Sequence, residues 1–250
     1  MASPSAGGAV DLAARTRARR AGPASGWQTG RMPTFEQLFA QHVATGMAHQ
    51  LALADLIGER DWQLDLSTGQ ATFGTDLRYD IQLLGSESHS HETWLWAWAN
   101  EASNIPPDLL RLGTWLREYG ADEQVPEFVT PGFPLARADG HRLALVAGSL
   151  TGRPYYRGPY DGGAVFFHLE GTPAQLSAPV RPERALTVLQ QVISAFPLDH
   201  RTTARSFFEQ QTWRIDEAAD SMTVQHPEGT TIRISFDDLG RISRIEGTLS

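Results

Sequence analysis

The sequence predicts an α+β protein in which antiparallel β-meanders pack against helices. Apolar residues recur every three to four positions over residues 35–57, the period of an amphipathic helix. From Trp62 to Ala99 the period falls to two, in short runs broken by turn residues, the pattern of half-buried strands. The same order, helix and then alternating runs, returns over residues 182–245. With 250 residues, 41% of them hydrophobic, the chain can bury a core without metal or disulfide staples.

The elements follow in order. Phe35, Leu38, Phe39, Val43, Met47, Leu51, Ala54 and Ile57 form one apolar stripe. Thr34 is placed to cap this helix, Gln37 completes a capping box, and Gly58 ends it. Four antiparallel strands are expected next: Trp62–Leu66, Ala71–Gly74, Tyr79–Leu84 and Thr93–Ala99. Ile105-Pro-Pro-Asp108 stops the sheet, and Asp108 is expected to cap a helix over Leu109–Tyr119 that Gly120 ends. A Pro-rich loop over 126–134, a helix near His141–Leu150 and a strand Ala164–Leu169 come next. Helices over Pro182–Phe196 and roughly Arg201–Gln211 precede a final meander. Trp62-x-Leu-Asp65 and Trp213-x-Ile-Asp216 each open a meander after a helix. They read either as a duplicated helix-plus-four-strand unit or as two independent meanders. The expected division is a disordered tail over 1–31, a core unit over 32–170 and a second unit over 171–250.

Charge and composition narrow the function classes. All 21 basic residues are Arg and none is Lys, which excludes a Schiff-base or P-loop lysine. There is no Cys, hence no thiolate nucleophile or Cys-ligated metal. Residues 1–31 hold five Arg and one Asp, a balance of +4, so a total of −8 leaves −12 on the remainder. A body so acidic repels phosphate backbones, and no nucleic-acid partner is expected. No apolar run approaches the ~20 residues of a membrane span, and the N-terminal stretch lacks the apolar core of a secretory signal. A cytoplasmic location with no membrane partner is the matching expectation. The Ala, Gly, Ser and Pro of 1–31 cannot bury much surface, and Met32 before Pro33-Thr34 reads as an alternative start.

Three segments stand out as candidate sites. In Thr93-Trp-Leu-Trp-Ala-Trp-Ala-Asn100 a strand places Trp94, Trp96 and Trp98 on one face. Asp80 and Gln82 of the neighbouring strand, with Asn100, then set polar groups beside an aromatic row that suits a planar or sugar-like ligand. The competing reading makes the row plain core, with Asp80 and Gln82 satisfying indole N–H groups. The second segment, Tyr155-Tyr156-Arg157-Gly-Pro-Tyr160-Asp161-Gly-Gly163, gathers phenols, a guanidinium and a carboxylate on a bent loop. An enzyme site would draw on Tyr155, Arg157 and Asp161, together with His168; a structural corner pairs Arg157 with Asp161 instead. The third, Glu87-Ser-His89-Ser-His91-Glu92, offers two imidazoles and a carboxylate, a weak metal candidate against the simpler reading of a solvated hairpin. No cofactor is expected, and no nucleophile elbow, zincin or dinucleotide motif is present.

The Trp94–Asn100 string, preceded by Tyr79-Asp-Ile-Gln-Leu-Leu-Gly85 and followed by Tyr155–Gly163, resembles an uncharacterised bacterial family. That family is a domain of unknown function marked by its WLWAWAN signature. The resemblance covers roughly residues 34–170 and implies no activity, ligand or catalytic residue. On these grounds the sequence reads first as a soluble, non-catalytic binding module for a small molecule or protein. The alternative is an enzyme centred on Tyr155, Arg157, Asp161 and His168.

Overall fold

The computed structural model describes residues 34–248; the expectations for residues 1–31 and Met32 lie outside them. Helix α1, Phe35–Ile57, opens with the capping box that its first residues encode. Thr34 Oγ1 accepts the Gln37 N–H at 3.3 Å while Gln37 Oε1 accepts the Thr34 N–H at 2.9 Å. Gly58 ends it at φ +59°, a conformation that costs other residues a Cβ clash.

Strands β1 (Trp62–Asp65), β2 (Gln70–Phe73), β3 (Leu77–Ser88) and β4 (Thr93–Trp96) follow as an antiparallel meander. The twelve residues of β3 serve three partners. Asp80 lies between Gln70 of β2 and Glu170, whereas Gly85 lies between Trp96 of β4 and Phe166. The register shifts between Leu83 and Gly85; such an irregularity bends a strand and re-aims its side chains. Glu170 and Phe166 belong to β7 (Gly163–Glu170), the partner of β6 (Tyr155–Tyr160).

Several expectations are corrected here. β4 ends at Trp96 and Ala97–Ala99 form a 3-10 turn, so Trp98 leaves the strand. Residues 126–134 are no loop: they hold the one-turn helix α3 (Pro126–Val129) and the edge strand β5 (Gly132–Pro134). Pro126 suits the first turn because its missing N–H is an orphan donor there. Asp108 does not cap helix α2 (Arg111–Asp122), since the 3-10 turn Pro107–Leu109 intervenes. The cap comes from the sheet instead, where Gln82 Oε1 accepts the Leu112 N–H at 3.1 Å. Gly120 lies inside α2, where Phe128 approaches too closely for a Cβ. The segment after Tyr155 is a hairpin and not a loop, with Gly162 at φ +81° in its turn.

Helix α4 (Gly140–Thr151) lies against the sheet, and α1 packs on α4. Helices α5 (Pro182–Ala195) and α6 (His200–Gln210) add to α1. The chain closes with a second meander, β8 (Arg214–Glu217), β9 (Ser221–Gln225), β10 (Thr231–Phe236) and β11 (Ile242–Thr248). One buried cluster joins Phe39, Trp94, Trp96, Phe166, Phe207 and Ile234, running across residue 170. A second lies around Phe73, Ile81, Leu83 and Phe167. Alternation explains the division: Phe166 and Phe167 are neighbours on β7 and face opposite sides of the sheet.

Trp94 and Trp96 are 1% and 0% exposed. Their rings cross edge to face at 5.4 Å, and Trp94 meets Phe166 at 5.5 Å. Gly140 permits this, since a Cβ there would stand 2.6 Å from the Phe166 ring and 2.7 Å from Trp94. Truncating Trp96 to Ala is expected to destabilise the fold by about 3–5 kcal/mol, measured by urea denaturation. A loss below about 1 kcal/mol would show that the row is not core.

Candidate functional site

The sheet delivers the predicted residues to different places. Trp94 and Trp96 are sealed under helices, and Trp96 Nε1 donates to the Glu127 carbonyl at 2.9 Å. Trp98 stacks on Trp96 at 6.4 Å and carries the Arg117 guanidinium 4.6 Å above its ring. Asp80 and Gln82 satisfy none of these indoles, contrary to expectation. Asp80 accepts from Gln70 Nε2 at 3.1 Å. Buried Gln82 donates to the Asp108 carbonyl and to Glu170 while capping α2. Asn100 accepts the Ser103 N–H within the 3-10 turns. These residues are fold supports, and the row exposes no open aromatic face on Trp94 or Trp96.

Alternation along β6 splits the second candidate group. Tyr156 turns to the far side, against Trp62, Phe73 and Phe167. Tyr155 and Arg157 turn to the helix side, against Phe166. Asp161 sits in the hairpin turn, four residues beyond Arg157 or about 13 Å along an extended strand, and it makes no ion pair with Arg157. His168 pairs in register with Tyr155 but is fully buried. Tyr155, Arg157 and His168 thus share the helix side of the sheet, Tyr155 with its ring 6.1 Å from His168, but His168 is sealed and Asp161 stands apart.

A different group does. Glu87, at the far end of β3, is 7% exposed. Its Oε1 accepts the Gly140 N–H at 2.7 Å, and Asp139 Oδ1 accepts the Arg142 N–H at 2.8 Å. Two carboxylates thus satisfy two orphan donors at the start of α4, where the helix dipole favours negative charge. Glu87 Oε2 lies 4.0 Å from Arg157 and 3.9 Å from His89 Nε2. Arg157 reaches His89 Nε2 at 3.5 Å. His141, one residue into α4, turns its Nδ1 onto the buried Tyr155 hydroxyl. From outside, Tyr160 donates its hydroxyl proton to the Glu87 carbonyl at 3.1 Å. His89 itself is locked by its N–H on the Gly162 carbonyl. His89 and His91 part company: His91 Nδ1 turns to Ser88 and Ser90. Among the described residues no group of three or more His, Cys, Asp or Glu side chains is placed to hold a metal ion.

Burial sets the protonation states. It lowers the His141 pKa below the ordinary value, with Asp139, Arg157 and Glu87 acting on it in turn. It raises that of Tyr155. Both are neutral near pH 7, and the phenol, the better donor, gives its proton to Nδ1. His141 Nε2 then carries its hydrogen outward. If His89 Nε2 accepts from Arg157, its Nδ1–H also faces out. Arg157 and His89 side chains are 33% and 50% exposed, so the face offers hydrogen-bond donors.

Two other arrangements have less to offer. Buried His42 and Ser149 stand 2.8 Å apart, the outline of a nucleophile and base. Ser149 Oγ, however, donates its proton to Gln210 Oε1 at 3.0 Å, and Gln210 is oriented by its Nε2 on the Gln41 carbonyl. His42 Nδ1 is then donor and not base, the reverse of what activation requires. An open depression of about 400 Å³ is lined by Arg205, Glu209, Trp213, Ile215 and Glu217. Arg205 closes on both glutamates there, at 2.9 and 3.7 Å.

Glu87 and His89 stand out in the sequence as a weak metal candidate or a solvated hairpin, while Asp139 and His141 carry no such mark. Asp139-Gly-His before an apolar run is a cap signal; nothing local says that Glu87 meets it.

A model of a family of unknown function, DUF6882, matches residues 36–172. The chain belongs to this family, and the match spans β3, β4, α4, β6 and β7, which build the Glu87 group. No curated protein and no solved structure matches the chain. No helix among the described residues is long and apolar enough to cross a membrane.

Replacing Glu87 by Leu is expected to cost about 1–3 kcal/mol by stranding a buried N–H, whereas Glu87→Gln retains most of that stability. Arg157→Ala is expected to cost under about 1 kcal/mol, because its ion pair is long and part-exposed. Denaturant titrations of the three variants check both expectations.

His168 supplies a pH test. Its Nδ1 donates to the Arg153 carbonyl at 3.1 Å, while Nε2 is buried with no hydrogen-bond partner. Burial pushes its pKa down to about 3, against about 6.5 when unfolded. The unfolded chain binds the extra proton, so this contribution is complete above about pH 6.5 and is lost as pH falls toward 3, by up to about 1.4 kcal/mol per pH unit. The stability of His168→Gln is expected to fall less steeply between pH 6 and 4; parallel slopes would refute the assignment.

Proposed function

We propose that the chain is a non-catalytic binding module of the bacterial cytoplasm. Its contact face is formed by Arg157, His89 and the outward edge of His141, held by Glu87 and Tyr155 beneath. One observation carries this reading. Three separate chain segments bring a guanidinium and two imidazoles to one part-exposed face, and a buried carboxylate lies beside Arg157 and His89 and on the backbone N–H that precedes His141. A face of donors recognises acceptors, so the fitting partner is a protein surface with carboxylates or free backbone carbonyls. The Trp row supports this face and does not bind.

Two features favour binding over catalysis. The buried Ser149–His42 pair has its protons committed in the wrong sense, and the quartet of Tyr155, Arg157, Asp161 and His168 is spread along and across the sheet.

The test uses the full-length chain as bait for chemical cross-linking and mass spectrometry in cells that express it. Arg157→Ala and His141→Ala are expected to stay folded, with at most a modest drop in melting temperature, and to lose the cross-linked partner. Arg214→Ala, on a distant strand, should retain it. A partner that maps elsewhere, or survives both variants, would overturn the proposal.

A further inference from the structure

The strand edges of this protein are unequally protected. The outer edge of β6 is closed at one end by Gln50, whose amide takes both the N–H and the carbonyl of Tyr155 at 3.0 and 2.9 Å. Pro159 removes a donor near the other end. β5 ends in Pro134 and follows Pro131, while β1 and β8 are four residues long. Short strands, prolines and side-chain plugs are the usual means of keeping an edge from pairing. β11 has seven residues, no proline, and β10 as its sole strand partner among the described residues.

The direction of its free groups follows from the ladder. Phe236 donates its N–H toward the β9 side, to Asp220. Alternation then turns Ser235 and Arg233 of β10 toward their partners Arg244 and Glu246. Ile245 and Gly247 are left with N–H and carbonyl aimed at the open edge. The register shifts between Ser235 and Phe236, which sets Ile242 opposite Phe236; its N–H therefore also points outward, where His200 Nδ1 accepts it at 3.0 Å. The plug covers the start of β11 and leaves the stretch beyond it open.

We infer that this open edge pairs with the same edge of a second copy, antiparallel about a two-fold axis at Ile245. The charge pattern selects that register. Arg244 and Glu246 flank Ile245 on the polar side of the sheet, 2.9 Å from each other and 71% and 48% exposed. Centred on Ile245, an antiparallel pair sets Arg244 opposite Glu246 of the partner subunit, and Glu246 opposite the partner's Arg244. Centred on residue 244 it would oppose two arginines, and on residue 246 two glutamates, both repulsive. A parallel in-register pair would oppose like charges at both positions. The two half-buried Ile245 side chains meet on the inner face, and the two four-stranded sheets become one. The symmetry is that of the commonest homo-oligomers.

Sedimentation velocity on the full chain over a concentration series tests this. The wild type is expected to show a reversible monomer–dimer equilibrium. Arg244→Glu and Glu246→Arg are each expected to weaken the dimer by about tenfold, with unchanged circular dichroism and melting temperature in dilute solution. Mixed together, these variants carry complementary edges and should form a heterodimer of roughly wild-type affinity. A wild type that stays monomeric throughout, a dimer indifferent to both substitutions, or a mixture that fails to recover would each overturn the inference.

Discussion

The carboxylate of Glu87 on the N–H of Gly140 holds the arrangement of this protein together. It ties the far end of the long strand β3 to the first turn of α4, through the 2.7 Å bond that a buried helix start needs. The bond can form because Gly140 has no side chain, so the helix end descends onto Trp94 and Phe166. With the helix in that position, His141 falls on Tyr155 and Arg157 lies beside Glu87. Polar face and apolar core thus share one contact.

Trp94 and Trp96 lie in the core, which is one of the two places their spacing suggests. Alternation on β4 aims Trp94 and Trp96 at the helical layer, and Phe128, Phe166 and the Glu127 carbonyl take up their edges and one N–H. Large aromatics so enclosed serve packing. Inside the helical layer, the chain from His42 through Ser149 to Gln210 and the Gln41 carbonyl links α1, α4 and α6. Satisfied networks of this kind fix one arrangement of helices among several that apolar contacts alone would allow.

The strand edges show the same economy of means. Gln50 on Tyr155, His200 on Ile242 and the prolines beside β5 and β6 each take or remove a backbone group that would otherwise seek a partner. Among the described residues, the middle of β11 has no such device. There the charges of Arg244 and Glu246 mark a register instead of blocking the edge.

Much of the fold is legible from the residues alone. The stripe from Phe35 to Ile57, the capping box at Thr34 and the period-two runs after Trp62 are local signals with local causes, and the structure follows them. Local rules failed where a distant group intervened: Gln82 caps α2 in place of Asp108, and Phe128 explains Gly120. The 3-10 turn after Trp96 breaks an alternation that the letters appear to continue. Tyr155 and Arg157 were visible as unusual residues, yet Asp139 and His141 were not, because a titratable group gains its meaning from the neighbours the fold brings to it. Sequence therefore determined the elements, their order and their apolar faces, which depend on spacing within a few residues. The tertiary structure alone decided that Glu87, His89, His141 and Arg157 meet while Asp161 stays apart. That outcome depends on the register of β3 against β7 and on the depth at which α4 settles, and both are set by packing between residues more than twenty positions apart in the chain.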